Sequence, residues 1–598
     1  MRRLPFLLPL LATTAVLAPT CFQVLAHADD DTGIRHEIVL DTRDGITRSV
    51  VLYDDPLSPN ALPHSPKCDQ VRYMRWRLSN GPADAQDADA VLAAHPGTVE
   101  DGAAFDSVAR NTLHQLAARG KKAEFWGLDR REVCATDTVG MEAAVAQRDY
   151  RVAIDYYYNG KEIDGHRFRG YSDSNEPALA DMGLAQIAED YQFVASHEIP
   201  LAADRKRKIF LGGHSQGGIL AGHNAAWDFG GDPTTDGGAV EDQLAGVFTF
   251  DGPAPADYQV AGQIPIVEEA MNIVAGMPYD LVVAGLRSGI LPRAIGLGEL
   301  GFPAVAQLAK IIGLAARFEP DANSEVLQRI PMGLLQNLPS GLLDNVAARF
   351  FTTPDYLGYL TGLFGGNPDP QQLCATNMAL LGLILDDNSS PIVAIQSSFG
   401  GFTGGPVVIK NQPFPDVLRQ IPLLGTLVDF GGGGSTKVAP GDFSGKSCYD
   451  WVDYDKLPAQ GLYTVDGRRY TGPESEITSA TEFADSVGTE AGGMSFIDSY
   501  ENLRHLLDIG FLATGYRGGE LAGFQHPHWH DQLPLINFLG EKSFGLFRGI
   551  PNWLSADETY IVPAASHLDG LTAAAQQNDG RPSVPATKLA DFVVQHLG

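Results

Sequence analysis

The segment around Ser215 is the part of the chain whose residue types and spacing are best suited to chemistry. Ser215 lies in a Gly-x-Ser-x-Gly pentapeptide (213–217) that follows the apolar run 209–211 and precedes a helix-like stretch, 219–227. A strand that turns sharply into a helix holds such a serine in a strained conformation, and the flanking glycines leave room for the chain to cross. An isolated pentapeptide can be an ordinary glycine turn, but this context favours a nucleophilic serine.

Strand-like and helix-like segments alternate along much of the chain, which is typical of an α/β sheet. The segments predicted as strands are 36–40, 47–53, 71–78, 90–94, 123–128, 244–250, 533–539 and 559–562, and those with helical spacing are 105–118, 177–197 and 586–597. The serine segment falls within this alternation, so we expect a sheet to position it.

The alternation stops between residues 254 and 499, where the chain is apolar, glycine-rich and poor in clear strands. Pieces with helical spacing are 304–316, 343–351 and, with a break at Pro331, 326–338, whereas the Gly-Gly-Gly-Gly-Ser run 431–435 indicates a flexible loop. We predict four parts, namely a signal peptide (1–28), a first core part (29–253), a cap or lid insertion (254–499) and a second core part (500–598).

The serine turn and the order of these elements resemble the α/β-hydrolase superfamily over about 330 residues, split around the insertion. The resemblance implies an α/β fold, with the sheet core of an α/β-hydrolase interrupted by a large, mainly helical cap domain. It is much less specific for substrate, because that superfamily supports many reactions on one scaffold.

The resemblance also implies a base and an acid for Ser215. His567 follows the last predicted strand, where such enzymes carry the catalytic histidine. Two residues could supply the acid: Asp251, which ends the strand after the serine helix, and Glu541, which follows the next strand. We favour Asp251, because the segment 250–255 resembles the pattern with which some lipases of the superfamily supply their acid and because Ser543 stands where the family often carries its aspartate. His214 is expected to pack or hydrogen-bond within the serine turn.

An oxyanion formed by attack on an ester carbonyl needs backbone N–H donors. One donor is expected from Gln216, directly after the serine. The other is expected from the loop His95-Pro96-Gly97-Thr98, which resembles the His-Gly motif of the superfamily; Thr98 is the first choice and Gly97 the second.

Three alternating histidines, His526, His528 and His530, form a second conspicuous cluster. Imidazole suits zinc, but a second ligand group with metalloenzyme spacing is not recognisable. A polar loop beside the active-site mouth is therefore favoured over a structural metal site, and we expect no catalytic metal and no cofactor.

The N-terminus is typical of a secretory signal, with Arg2 and Arg3, an apolar stretch (4–17) and a small-residue exit (26–28). We expect a secreted or periplasmic protein without stable membrane insertion, because the apolar run is short and broken by prolines. Cys21 lies within the predicted signal peptide, and the remaining four cysteines form an even set. Proximity in the chain favours two disulfides, Cys68 with Cys134 and Cys374 with Cys448, over free thiols.

The formal net charge of −30 excludes nucleic acid as a natural partner and fits neutral or apolar substrates. Together these features predict a serine hydrolase, like a carboxylesterase or lipase, that cleaves small-molecule or lipid esters through an acyl-enzyme. A peptidase, an amidase or an acyltransferase with the same triad is the alternative among enzymes, and a non-catalytic binding protein with the hydrolase fold is the alternative outside them.

Overall fold

The computed structural model describes residues 33–171, 175–230, 238–255, 265–294, 302–330, 352, 368–410, 437–543 and 556–598. The predicted signal peptide, the predicted helix at 343–351 and the predicted loop at 431–435 lie outside these residues, as does most of the predicted helical piece at 326–338.

A nine-stranded sheet lies at the centre of the described structure. Its strands are β1 (Arg35–Arg43), β2 (Ile46–Asp54), β3 (Gln70–Leu78), β4 (Ala90–His95), β5 (Ala123–Leu128), β6 (Ile209–His214), β7 (Gly246–Phe250), β8 (Leu535–Gly540) and β9 (Glu558–Val562). The strand order is β1-β2-β3-β5-β4-β6-β7-β8-β9. The pairings from β1 through β3 to β5 are antiparallel, and the others are parallel. Each predicted strand overlaps one of these strands, so the prediction of a mixed α/β fold is confirmed.

The parallel arrangement determines where the functional candidates meet. The carboxyl ends of β4, β6, β7, β8 and β9 lie at one edge of the sheet. Ser215 follows β6, Asp251 follows β7 and His567 comes after β9. Ligands bind at this edge in open parallel sheets, because the loops that leave the strands converge there.

The inner strands of the sheet, β4 to β7, are buried on both faces, as their apolar sequences require. Side chains of adjacent residues in a strand point to opposite faces. Phe210 of β6 therefore belongs to one buried cluster with Leu116 and Phe592, and Leu211 belongs to the other with Leu220.

The described α-helices cover the faces of the sheet and fill the segment between β7 and β8. They are α1 (Asp106–Ala118), α2 (Val139–Gln147), α3 (Arg151–Tyr157), α4 (Leu184–Glu198), α5 (Ala202–Lys208), α6 (Gln216–Ala225), α7 (Pro265–Val274), α8 (Tyr279–Ser288), α9 (Phe302–Phe318), α10 (Val326–Arg329), α11 (Asn377–Leu385), α12 (Ala480–Val487), α13 (Leu503–Ala513), α14 (Asp569–Thr572) and α15 (Val584–His596). Among them, none combines the length and the apolar character needed to cross a membrane.

Helix α4 begins later than its sequence pattern suggests. The pattern predicts a helix from Pro177, but residues Pro177–Ala180 form a separate 3₁₀ turn. Gly183 is extended, and the N–H of Leu184 donates to the Asp508 carboxylate at 3.1 Å. A contact with α13, far along the chain, therefore sets the start of α4, and a local pattern does not contain that information.

The chain leaves the central sheet at Phe250 and returns at Leu535. The predicted helix at 304–316 is confirmed as α9. The described part of the insertion also contains short strands, which form small separate sheets: Cys374–Ala375, Gly400–Thr403, Val407–Lys410, Lys437–Pro440, Cys448–Asp453, Leu462–Tyr463, Arg469–Thr471, Glu490–Ala491 and Met494–Ser495. The boundaries 254 and 499 of a cap remain a prediction.

Both predicted disulfides are present. Cys68 is bonded to Cys134 across 66 positions of the chain, and Cys374 to Cys448 across 74. The first bond ties the segment before β3 to the segment after β5. The second lies within the insertion, where Cys374 and Cys448 face each other on parallel strands.

Candidate active site

Ser215 occupies a strained turn between β6 and α6. Its backbone has φ 54° and ψ −120°, a conformation that costs a non-glycine residue about 1–3 kcal/mol. The flanking glycines are required by close approach of the backbone: a Cβ at Gly213 would lie 2.2 Å from a backbone atom of Gly217, and one at Gly217 would lie 2.0 Å from the carbonyl oxygen of His95. The N–H of Ser215 donates to the Phe250 carbonyl at 2.9 Å, which fixes the turn against β7.

Asp251 is the candidate acid that contacts His567. Its Oδ2 lies 2.5 Å from Nδ1 of the imidazole, and both side chains are buried. The other oxygen, Oδ1, accepts hydrogen bonds from the N–H of Gly540 and the hydroxyl of Ser543, each at 2.8 Å. The carboxylate is therefore held on two sides, with one oxygen directed at the histidine.

Glu541, the other candidate acid, has a different partner. Its Oε2 accepts a hydrogen bond from the N–H of Ala564 at 2.9 Å, and the residue is exposed. Ala564 has φ 62°, so Glu541 braces a left-handed turn three residues before His567. The hydroxyl of Ser543 donates to Asp251.

Two close contacts hold the loop of His567 near Ser215. One is made by His214, the neighbour of Ser215, and the other by Gly252, the neighbour of Asp251. Nε2 of His214 lies 3.0 Å from the carbonyl oxygen of His567, and the two imidazole rings lie 4.6 Å apart between centroids. Gly252 packs directly on the serine, since a Cβ there would lie 2.7 Å from the Ser215 Cα. Within the described residues, no hydrogen bond joins the Ser215 hydroxyl to His567; such bonds are often long in substrate-free enzymes and tighten only with substrate.

His214 forms a buried ion pair with Glu100. Nδ1 of His214 lies 2.9 Å from Oε2 of Glu100, and the same oxygen accepts a hydrogen bond from the N–H of Gly97 at 2.7 Å. Burial opposes both charges, but the attraction of the partners and their hydrogen bonds prevails. The pKa of Glu100 is thereby lowered and the pKa of His214 is raised. One carboxylate thus connects the loop after β4 to the histidine that holds His567.

Glu100 did not emerge from the sequence as a functional residue. The available signal is its position three residues after Gly97, within the loop predicted to supply an oxyanion donor. A lone glutamate at that spacing has no chemical signature of its own, and its partner His214 lies 114 positions away.

The loop after β4 lies against the start of α6, as an oxyanion hole requires. The hydroxyl of Thr98 donates to the side-chain oxygen of Gln216 at 2.7 Å. The N–H of Gly97 is taken by Glu100 and that of Val99 by Glu501, at 2.7 and 2.9 Å. In the described part of the chain, the N–H groups of Thr98 and Gln216 carry no hydrogen bond to protein, so both can donate to a substrate oxygen.

Arg130 holds the loop after β4 through hydrogen bonds to its carbonyl groups. Its buried guanidinium donates to the carbonyl oxygens of Gly97 and Glu100 at 3.0 and 3.2 Å, and it lies 3.3 Å from the Glu501 carboxylate. Another carboxylate, Glu132, lies 3.0 Å from its Nε. Burial and these carboxylates act in opposite directions, and the pKa of Arg130 is raised overall, so the loop rests on a permanent positive charge.

The three-histidine cluster does not converge on one point. His526 uses both ring nitrogens on carboxylates, with Nε2 at 3.0 Å from Asp228 and Nδ1 at 2.8 Å from Glu241. The rings of His528 and His530 lie 6.2 Å apart. His526 therefore fastens its loop to the segment after α6 through hydrogen bonds.

Comparison with known proteins gives only distant similarity. No family model and no curated protein matches the chain. A juvenile hormone epoxide hydrolase from the silkworm Bombyx mori is 9% identical over 92% of this chain and 78% of its own, with a TM-score of 0.28. A peroxisomal alpha-beta-hydrolase from Saccharomyces cerevisiae is 9% identical over 93% and 89%, at 0.27.

An acetyl xylan esterase from Paenibacillus sp. R4 is 14% identical over 43% of this chain, with a TM-score of 0.21. The chain spans 62% of the length of that esterase. Similarities at these scores do not assign an activity, so the function is inferred from the geometry of the site.

Proposed function

We propose that this chain is an exported serine hydrolase with an α/β-hydrolase core, which cleaves carboxylic esters through a Ser215–His567–Asp251 triad. The observation that carries the proposal is the 2.5 Å contact between Asp251 and His567, placed beside a serine with φ 54°. An aspartate on Nδ1 leaves Nε2 of the imidazole to face a nucleophile, which is the orientation that general-base catalysis needs.

The reaction follows from these positions. Ser215 Oγ attacks the ester carbonyl while His567 takes its proton, and the imidazolium then donates that proton to the leaving alcohol. The N–H groups of Gln216 and Thr98 stabilise the oxyanion, a contribution of about 3 kcal/mol for each donor. Water, activated by His567, releases the acid and restores the serine.

The proposal that the insertion 254–499 acts as a cap is supported by its contacts with the site loops. The N–H of Leu568, next to His567, donates to the Gln396 carbonyl at 2.9 Å. The N–H of Asp498 donates to the carbonyl of Val99 at 2.8 Å. Both catalytic loops are thus braced by the insertion, and its apolar composition favours apolar or lipid-like esters.

Export is proposed from the signal-like N-terminus and is supported by the two disulfides, which persist in oxidising compartments. Fractionation of expressing cells tests it. Recovery of the full-length chain in the reducing cytosol, with free thiols at Cys68 and Cys134, would contradict it.

Labelling by a fluorophosphonate tests the nucleophile. We expect the wild type to be labelled and Ser215→Ala and His567→Ala to be unlabelled, while Ser58→Ala, which changes an exposed serine, keeps full labelling. A chain-length series of p-nitrophenyl esters then tests substrate preference, with Ser215→Ala as the blank. Labelling that persists in Ser215→Ala, or a folded wild type that neither labels nor hydrolyses any ester, would rule out the proposed mechanism.

A further inference from the structure

A cleft of about 680 Å³ is lined in part by the residues that follow Asp498, whose N–H donates to the carbonyl of Val99 in the loop after β4. Its walls come from the segment after β5, from the tyrosine-rich stretch around α3, and from Ser499 and Tyr500. Ser215, His567 and Asp251 do not line it, so it is distinct from the triad. Its size is that of a small-molecule site.

The floor of the cleft contains buried polar groups whose hydrogen bonds are incomplete. Gln307 of α9 and Ser499 are 1% and 2% exposed, and in the described residues neither the amide nitrogen Nε2 nor the hydroxyl has a partner. Glu176 uses one carboxylate oxygen on the N–H of Ser65, at 2.9 Å, and the other oxygen has no hydrogen-bond partner among the residues that the structure describes. Buried polar groups are nearly always satisfied in folded proteins, so we expect water or a bound ligand to complete the hydrogen bonds of this set.

These groups differ in hydrogen-bonding character. The Gln307 amide only donates at Nε2, the Ser499 hydroxyl donates and accepts, and the free Glu176 oxygen accepts while its carboxyl is charged. A ligand with hydroxyls on neighbouring carbons can satisfy such a mixed set of groups, because each hydroxyl can donate one hydrogen bond and accept another. A hydrocarbon chain would leave all three unsatisfied.

One wall is aromatic and fixed in place. Phe168 packs against Tyr157 and Tyr171 with ring centroids 5.0 Å apart in each pair, and the Tyr156 hydroxyl donates to Asp137 at 2.8 Å. The rings of both pairs meet edge to face, at interplanar angles of 80° and 69°, so they form a rigid, faceted apolar wall that a cyclic ligand can contact.

The rim of the cleft carries exposed cations in a chain that is strongly acidic overall, and the rest of the lining contains two carboxylates, Asp137 and Glu176. Lys67, Arg167 and Arg169 are exposed around the opening. Lys67 donates to a neutral hydroxyl, that of Thr138, at 3.1 Å, and Nε of Arg167 lies 3.6 Å from a carboxylate oxygen of Glu162. With a net charge of −30 on the whole chain, a local group of cations favours an anionic ligand at this place.

We propose that this cleft binds an acidic sugar, with its ring against the aromatic wall, its hydroxyls on the floor and its carboxylate at the basic rim. The site is additional to the proposed esterase centre and does not depend on it, since binding is measured without turnover.

Calorimetric titration with D-glucuronic acid tests the proposal, with D-glucose and 4-hydroxybenzoate as comparison ligands. We expect glucuronic acid to bind more tightly than either, because only it offers both the hydroxyls and the charge. Arg169→Gln should weaken its binding about threefold, the scale of one exposed charge contact, and Ser499→Ala about fivefold, the scale of one neutral hydrogen bond.

Arg581→Gln, which removes an exposed arginine from a different surface, should bind glucuronic acid like the wild type. Thermal melting of each variant shows whether it has kept its fold, and the exposed Arg169→Gln change provides a test even if Ser499→Ala does not fold. Absence of binding by the wild type, equal binding of glucose and glucuronic acid, tighter binding of 4-hydroxybenzoate, or unchanged affinity in Arg169→Gln would each overturn the proposal.

Discussion

Replacing Glu100 with glutamine tests whether the ion pair behind the nucleophile organises the site. Oε2 of Glu100 accepts from Gly97 and lies within hydrogen-bond distance of His214, at 2.7 and 2.9 Å. Hydrogen bonds to a charged group contribute about 1.5–3 kcal/mol each, and the amide oxygen of glutamine keeps one of them as a weaker neutral bond. We therefore expect the free energy of unfolding of Glu100→Gln to fall by about 2–4 kcal/mol.

The same change should lower catalysis without weakening substrate binding. Glu100 orients His214, whose Nε2 holds the carbonyl of His567 at 3.0 Å. Loosening that carbonyl lets the imidazole drift from the serine, and a displacement of about 1 Å can reduce kcat about 100-fold. Because Glu100 is buried beneath the loop and acts through His214, we expect kcat for an activated ester to fall about 10- to 100-fold with KM little changed.

The pH dependence of stability tests whether Glu100 and His214 form a charged pair, and kcat tests whether that pair positions the site. The lowered pKa of Glu100 means that its stabilisation is present above the ordinary value of 4.5 and is lost as pH falls through the folded value. The raised pKa of His214 means that its stabilisation is present below 6.5 and is lost as pH rises through the folded value. The difference in unfolding free energy between wild type and Glu100→Gln should therefore be largest between these two values.

Urea unfolding at several pH values measures this difference, and a titration of kcat with an activated ester accompanies it. Glu198→Gln is the matched control, because Glu198 is a buried carboxylate that accepts hydrogen bonds from Tyr53 and Tyr73 away from the serine. The control should lose stability but keep the wild-type kcat in the folded fraction. Wild-type kcat in Glu100→Gln, or a stability difference that does not change with pH, would refute the role assigned to the pair.

Two further predictions concern the acid and the disulfide. Asp251→Asn should reduce kcat for ester hydrolysis about 10⁴-fold, whereas Glu541→Gln should change it less than about threefold, because Glu541 binds a backbone N–H and not the imidazole. Equal losses in the two variants would contradict the assignment. Replacing Cys68 and Cys134 together with alanine should lower the free energy of unfolding by about 4 kcal/mol in urea, as expected for a crosslink over 66 positions, and an unchanged midpoint would count against a stabilising bond.

Much of the central sheet could be predicted from the sequence, because its inner strands are buried on both faces. Strands β4, β5, β6 and β7 are buried throughout, and such strands appear as short apolar runs bounded by turns. The serine turn was equally visible, since its glycines are demanded by contacts within five residues and with the neighbouring strand.

Features that depend on residues far apart in the chain could not be predicted from the sequence pattern. The start of α4 is set by Asp508, which lies 324 positions from Leu184. The importance of Glu100 arises from His214, and the brace on the loop after β4 comes from Arg130 and Glu501. Each is a polar residue with no periodicity of its own, and only the folded chain shows what it contacts.

Sequence position alone does not decide whether Asp251 or Glu541 is the acid that contacts His567. Strands β7 and β8 are parallel neighbours, with Phe250 opposite Phe538, so a carboxylate at the end of either strand emerges at the same edge of the sheet. The N–H of Asp251 donates to the Phe538 carbonyl at 2.6 Å, which places the end of β7 within reach of the loop after β8.

The loop after β8 holds Asp251 in position but does not itself provide the carboxylate that contacts His567. Gly540 and Ser543 both donate to Oδ1 of Asp251, which leaves Oδ2 for Nδ1 of His567. A serine at position 543 is thus complementary to an aspartate at 251, because a second carboxylate there would repel the first inside a buried site. Ser543→Asp should therefore lower kcat for ester hydrolysis, even though aspartate is the residue that the α/β-hydrolase superfamily often carries at that position.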